Sequence, residues 1–201
     1  MRITAALLAV GIAMTVQAQN TVESIRKEYG EMQELIRHMM QEGACPPEYY
    51  NVHVVQNLPA TGPHDENIYM YYGELESEEE GDPYPPHYLR FATAKYNFAV
   101  RQFYEEFMYN DKGQVTFIYA RLAKYHWPLI TELRMWYDGK RLLQLMVKDS
   151  GEQPDDGKAV LKEVYKGKNI PEEYSDTYNV LVNRAERYKV MFKGIDDNTH
   201  L

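Results

Sequence analysis

Cysteine is nearly absent: Cys45 is the single one in 201 residues, so no internal disulfide can form whatever the redox compartment. Stability has to come from a hydrophobic core. Long apolar runs are also missing after the first 18 residues, and no later stretch approaches the roughly 18–20 residues that a membrane-spanning helix needs. Membrane insertion is therefore not expected. Basic residues are outnumbered, 22 Lys and Arg against 30 Asp and Glu, giving a net charge of −8. That balance argues against nucleic acid and anionic membrane surfaces as partners, since both demand clustered positive charge. The chain has no glycine-rich phosphate loop, no serine in a nucleophile elbow and no pair of histidines four apart. On these grounds the sequence offers no assembled catalytic set, no cofactor motif and no metal site.

What is present begins with a leader. Arg2 is followed by an uncharged apolar run through Val10 and Met14, ending in Val16, Gln17 and Ala18, which fits a signal-peptidase groove. Residues 1–18 read as a cleavable signal peptide, and 19–201 as one domain, periplasmic or secreted. A helix over residues 3–16 is about 21 Å long, short of the roughly 30 Å hydrocarbon core. Gln19, rather than a cysteine, at the cleavage point disfavours a lipid anchor. Cys45, before Pro46 and Pro47, reads as a small residue at a junction.

Apolar spacing then predicts the elements. Val22, Ile25, Tyr29, Met32, Ile36 and Met39 recur at three- and four-residue steps, so the first element is a helix, capped by Asn20 or Thr21 and ended by Gly43. From Tyr50 the period is two, and residues 50–54 and 68–75 form a hairpin. Residues 76–87, rich in Glu and Pro, form an exposed loop. Residues 89–98 supply a strand, and 101–109 with 114–122 form a hairpin around the loop Asp111, Lys112 and Gly113. That loop pairs Phe107 with Phe117, Glu105 with Tyr119 and Phe103 with Arg121. A second hairpin, 131–137 with 140–147 around Asp138 and Gly139, sets Met135 against Leu142 and Trp136 against Arg141. A short helix over 158–166 follows. Tyr174, Tyr178, Leu181, Ala185, Tyr188 and Phe192 then share one face of a last helix between Pro171 and Gly194, with a terminal strand as the alternative. The fold class is α+β: an N-terminal helix, an antiparallel β-meander of about six strands, and C-terminal helices packed on one sheet face, leaving the other aromatic and partly solvated. This organisation resembles small exported bacterial domains with a meander between helices, a likeness of architecture that implies no site residue.

Two candidate sites stand out. Eighteen tyrosines far outnumber six Phe and two Trp, and Tyr and Trp join an apolar face to a polar edge that suits protein and sugar surfaces. Tyr125, His126, Trp127 and Pro128, with Tyr84, Tyr88, Trp136 and Tyr137, form the candidate recognition surface. The second candidate is Glu105, set among Phe103, Phe107 and Tyr119, where aromatic surroundings raise a carboxyl pKa. With Glu106 or Glu132 it would make a glycosidase-like acid pair, unless Arg121 holds it in an ordinary cross-strand ion pair. His38, His53, His64, His87, His126 and His200 lack metal-ligand spacing, and His64 with Asp65 and Glu66 reads as a polar turn. The acidic run Glu76–Asp82 lacks the ligand pattern of a calcium loop. The expected function is an exported, non-enzymatic binding domain engaging a protein or glycan through its aromatic surface; the alternative is a secreted hydrolase using Glu105 and a second carboxylate.

Overall fold

The computed structural model describes residues 20–38, 47–77, 81–82, 84–124, 129–151 and 160–199. The leader, Cys45, Gly43, and the Tyr125, His126, Trp127 and Pro128 segment lie outside them. Helix α1 (Val22–His38) starts where Thr21 and Ser24 cap reciprocally: the Ser24 amide donates to Thr21 Oγ1 at 3.1 Å and the Thr21 amide to Ser24 Oγ at 3.0 Å. Eight strands follow, β1 (Tyr49–Leu58), β2 (Gly62–Glu74), β3 (His87–Phe98), β4 (Arg101–Tyr109), β5 (Val115–Ala123), β6 (Ile130–Asp138), β7 (Arg141–Asp149) and β8 (Lys162–Gly167). They form a single antiparallel sheet in sequence order. Helix α2 (Glu172–Thr199) closes the chain.

The α+β meander is therefore present, with eight strands rather than about six. The predicted helix over 158–166 is corrected, because among its described residues, 160–166, those from Lys162 onward lie in the edge strand β8 and none is helical. Tyr165 packs on the core there while Val164 faces water. The placement of helices on one face is also corrected. Ile25 and Met32 of α1 pack on Tyr71, Phe91, Met108, Phe117 and Trp136. Leu181, Ala185, Tyr188 and Phe192 of α2 pack on the opposite face, against Ile68, Met70, Phe107, Ile118 and Leu145. The face expected to be aromatic and partly solvated is aromatic, and α1 lies on it. At about 1.5 Å per residue the 28-residue α2 is about 42 Å long, enough to cross eight strands spaced about 4.8 Å apart. The helix runs past Gly194, its expected terminus, to Thr199.

Hairpin registers explain how side chains reach each face. The Asp111–Gly113 loop forms as expected: the Asn110 amide donates to Gln114 O at 3.0 Å, and Gly113 takes a left-handed φ of 67°. Tyr109 pairs with Val115 in the anticipated register, but Met108 then pairs with Phe117, so Thr116 is an extra residue. This bulge shifts the hairpin by one and turns each β5 side chain to the other face. Glu105 thus faces Ala120 rather than Tyr119, and Arg121 faces Tyr104 rather than Phe103. In the next hairpin the loop is Gly139 and Lys140, closed by Asp138 opposite Arg141, whose side chains pair at 2.8 Å. A bulge then follows, so Met135 meets Leu145 and Trp136 meets Gln144, in place of Leu142 and Arg141.

Ile25 is fully buried under α1. Replacing it by Ala should cost about 2–4 kcal/mol in chemical denaturation. A loss below about 1 kcal/mol would mean that α1 is peripheral to the fold.

Candidate functional site

Glu105 and Glu106 are consecutive on β4 and point to opposite faces, and both are almost fully buried. Glu105 Oε1 accepts from Tyr96 Oη and from Arg184 Nη1 of α2, each at 2.7 Å. Arg184 also stacks its guanidinium 4.6 Å from the Tyr96 ring centroid. The counter-ion of Glu105 is therefore Arg184, not Arg121. Nearby, Glu66 accepts from Tyr188 Oη at 3.0 Å, with His64 Nε2 at 3.7 Å. Glu106 lies under α1, where Tyr29 Oη donates at 2.6 Å, Tyr104 Oη at 2.7 Å and Gln33 Nε2 at 3.3 Å. Glu132, paired with Arg121 and Lys148 across the sheet, shares the face of Arg134 and Trp136. Neither proposed second carboxylate, Glu106 or Glu132, is thus on the face of Glu105. The sheet separates them, so the two-acid arrangement anticipated for hydrolysis is not assembled from these residues.

Burial pushes the Glu105 carboxyl above its ordinary value of 4.5, and Arg184 and Tyr96 only partly oppose it. Its Oε2 is buried without a hydrogen-bond partner. An unprotonated oxygen there is costly, which is why the neutral acid is favoured relative to the unfolded chain.

The aromatic candidates separate in the same way. Trp136 and Tyr137 are adjacent on β6 and therefore face opposite helices; both are buried. Tyr137 lies under α2 and donates to Met135 Sδ at 3.4 Å. Tyr88 lines a cleft of about 990 Å³ along one flank of α1, together with Glu28, Arg90, Asp111, Lys112 and Asp138. Its lining mixes both signs of charge. Tyr84 is exposed in the loop before β3.

Trp136 instead belongs to a smaller slot of about 350 Å³ between α1, β5 and β6, lined by Arg26, Tyr29, Phe117, Tyr119, Arg134 and Trp136. Two guanidinium groups lie over aromatic rings there: Arg26 is 5.0 Å from the Trp136 centroid and Arg134 5.4 Å from that of Tyr119. Arg134 has Glu132 at 3.7 Å. Arg26 has no carboxylate partner among the described residues. Tyr29 lines the slot with its ring 4.8 Å from Phe117 and its hydroxyl donating to Glu106. Sequence reasoning found Trp136 but missed Arg26, Tyr29, Tyr119 and Arg134. Tyr29 was visible only as part of the buried stripe of α1, and Arg134 only as a polar alternate on β6. The one group of metal-ligating side chains among the described residues is Glu48, Glu74 and His87, on the opposite side of the fold from this slot.

The chain matches no protein-family model, no curated protein and no solved structure, so the functional reading rests on this geometry.

Two measurements follow from the buried titrating groups. A carboxyl that binds its proton more tightly when folded contributes most below its unfolded value, near pH 4.5, and loses that contribution as pH rises through the folded value. The stability gap between the parent and Glu105→Gln should therefore move against the parent as pH rises above about 4.5. A gap that widens in favour of the parent would show that the ionised form is the one the fold prefers. Tyr71 and Tyr119 are pushed up to about 12 by burial, and Tyr29 and Tyr104 higher still by burial beside Glu106. Near-ultraviolet titration should show a late tyrosine phase at about pH 12 accompanied by unfolding, since these phenols withdraw stability as pH climbs past about 10. A single phase centred near pH 10 would contradict it.

Proposed function

We propose that the protein is an exported, non-catalytic binding domain that takes an anionic group of a glycan or protein in the slot between α1, β5 and β6. The observation that carries this reading is Arg26, a guanidinium on the Trp136 face with no carboxylate to satisfy it among the described residues. An arginine stacked on an aromatic ring keeps its planar hydrogen-bonding edge available for a carboxylate or sulfate, and arginine is the cation suited to such bidentate contacts. Arg134 on Tyr119 supplies a second cation, while Tyr29, Phe117 and Trp136 supply apolar faces for a sugar ring or an aromatic side chain. The volume is at the lower end for small-molecule sites, suited to one or two residues of a polymer. Tyr125 and Trp127 belong to the same expectation of an aromatic surface and remain part of the proposal without a described position. In a protein of net charge −8, a paired-arginine slot selects ligands by contact, not by long-range attraction.

Titration calorimetry with uronic-acid oligosaccharides, their neutral counterparts and acidic peptides tests this directly. Binding should be seen for the acidic members of one class, and Arg26→Ala or Arg134→Ala should weaken it at least tenfold with thermal stability unchanged. Equal affinity for neutral and acidic saccharides, or affinity untouched by both substitutions, would remove the slot as the site.

A further inference from the structure

We propose that Glu48, Glu74 and His87 form a binding site for a divalent transition-metal ion at the strand ends where β1, β2 and β3 meet the last turns of α2. One ligand-type atom from each residue lies within 4.8 Å of those of the other two. Donors bonded to one ion at about 2.0–2.2 Å stand at most about 4.4 Å apart, so the three side chains need only a small inward adjustment to close on an ion. Two of the three positions lie on the sheet and the third directly precedes β1. Glu74 and His87 are cross-strand partners in β2 and β3, and Glu48 is tied to β2 by the hydrogen bond from the Tyr72 amide to its carbonyl, at 3.2 Å.

The imidazole is prepared for the task. The His87 side chain is more than nine-tenths buried, with Nδ1 2.9 Å from Asp196 Oδ1 of α2. Asp196 Oδ1 is in turn held by Tyr50 Oη at 2.9 Å, and the Tyr72 ring lies 4.7 Å from the imidazole. A carboxylate on one ring nitrogen sets the tautomer and aims the other nitrogen, the arrangement that recurs behind metal-bound histidines. Asp196 is thus a positioning residue that sets the orientation of the imidazole. Glu48 and Glu74 are exposed, no salt bridge to Lys or Arg engages either among the described residues, and the Tyr72 hydroxyl hydrogen-bonds the Glu48 carboxylate, so both acids carry their charge beside the imidazole. A divalent ion balances that charge. One nitrogen with two carboxylate oxygens favours zinc or a neighbouring transition metal over calcium and magnesium, which take oxygen-only sets. Three protein ligands leave a position open for water or an incoming anionic group.

The test is calorimetry and thermal denaturation of the mature chain with zinc chloride, and with calcium and magnesium chloride in parallel. One zinc ion should bind per chain and raise the melting temperature. Glu48→Gln and Glu74→Gln, both at exposed positions, should each weaken zinc at least tenfold without altering metal-free stability. Asp196→Asn should weaken it about 10- to 100-fold. A variant His38→Ala, removing the exposed Glu34 and His38 pair on α1, should leave affinity unchanged. The proposal is overturned by absence of zinc binding at millimolar concentration, by calcium binding as tightly as zinc, or by affinity that survives the Glu48→Gln and Glu74→Gln double substitution.

Discussion

Two consecutive buried carboxylates at the centre of β4 decide how both helices sit. Glu105 points to one side of the sheet and Glu106 to the other, and each is nearly sealed from water. A buried carboxylate without partners is expensive, so each position demands donors from whatever covers it. On one side the donors are Tyr96 and Arg184 of α2; on the other they are Tyr104 with Tyr29 and Gln33 of α1. Apolar burial alone would let a helix slide or rotate by a turn at modest cost. Fixed acceptors below it do not, because sliding α2 by one turn takes Arg184 away from Glu105. The two acids therefore fix the seating of α1 and α2, while the apolar clusters around them supply most of the favourable free energy.

Which side chains share a face with these acids depends on bulges. Arg90 on β3, Thr116 on β5 and Leu143 on β7 are extra residues against the preceding strands, and each lies next to one continuous cross-strand row, Tyr71, Phe91, Met108, Phe117 and Trp136. Bulges bend and over-twist the strand that carries them. Three on alternate strands along the same row concentrate that distortion under α1, where the row forms the aromatic floor on which Ile25 and Met32 pack. The slot lined by Arg26 and Trp136 opens beside this floor. A flat sheet with uniform register would instead have brought Arg121 to the face of Glu105, as the turn alone implied.

This accounts for what the sequence could and could not reveal. Helix α1 and α2 were legible because their apolar residues repeat at three and four over several turns, and the hairpins because Gly113 and Gly139 mark their loops. The class followed from that pattern. Register did not, because a bulge is one residue inserted without any change in the alternation around it: Val115, Thr116 and Phe117 read as an ordinary strand. A single such insertion misassigned the partner of Glu105. β8 was read as a helix because six residues with Val164 and Tyr165 do not discriminate between periods of 2 and 3.6. The sites failed to appear for a related reason. Arg26 and Trp136 are 110 positions apart, and Glu74, His87 and Asp196 come from three elements with Glu48 just before a fourth, so no spacing along the chain could join them.

The proposed anion slot is built from one helix and two strands, which bears on how an acidic protein would recognise an anion. At physiological ionic strength charges are screened beyond about 8 Å, so the net charge of −8 offers little repulsion to a ligand group already inside the slot. It does deny that ligand electrostatic steering on approach, leaving association at the unassisted rates of about 10⁵–10⁶ M⁻¹s⁻¹. Affinity then has to reside in slow dissociation, which demands a site whose side chains do not rearrange. In the proposed site Arg26 over Trp136 and Arg134 over Tyr119 would meet that demand, with Trp136 itself part of the buried floor under α1. In the proposed site, the buried acid under Tyr29 acts indirectly: it anchors the side chain against which the ligand would rest.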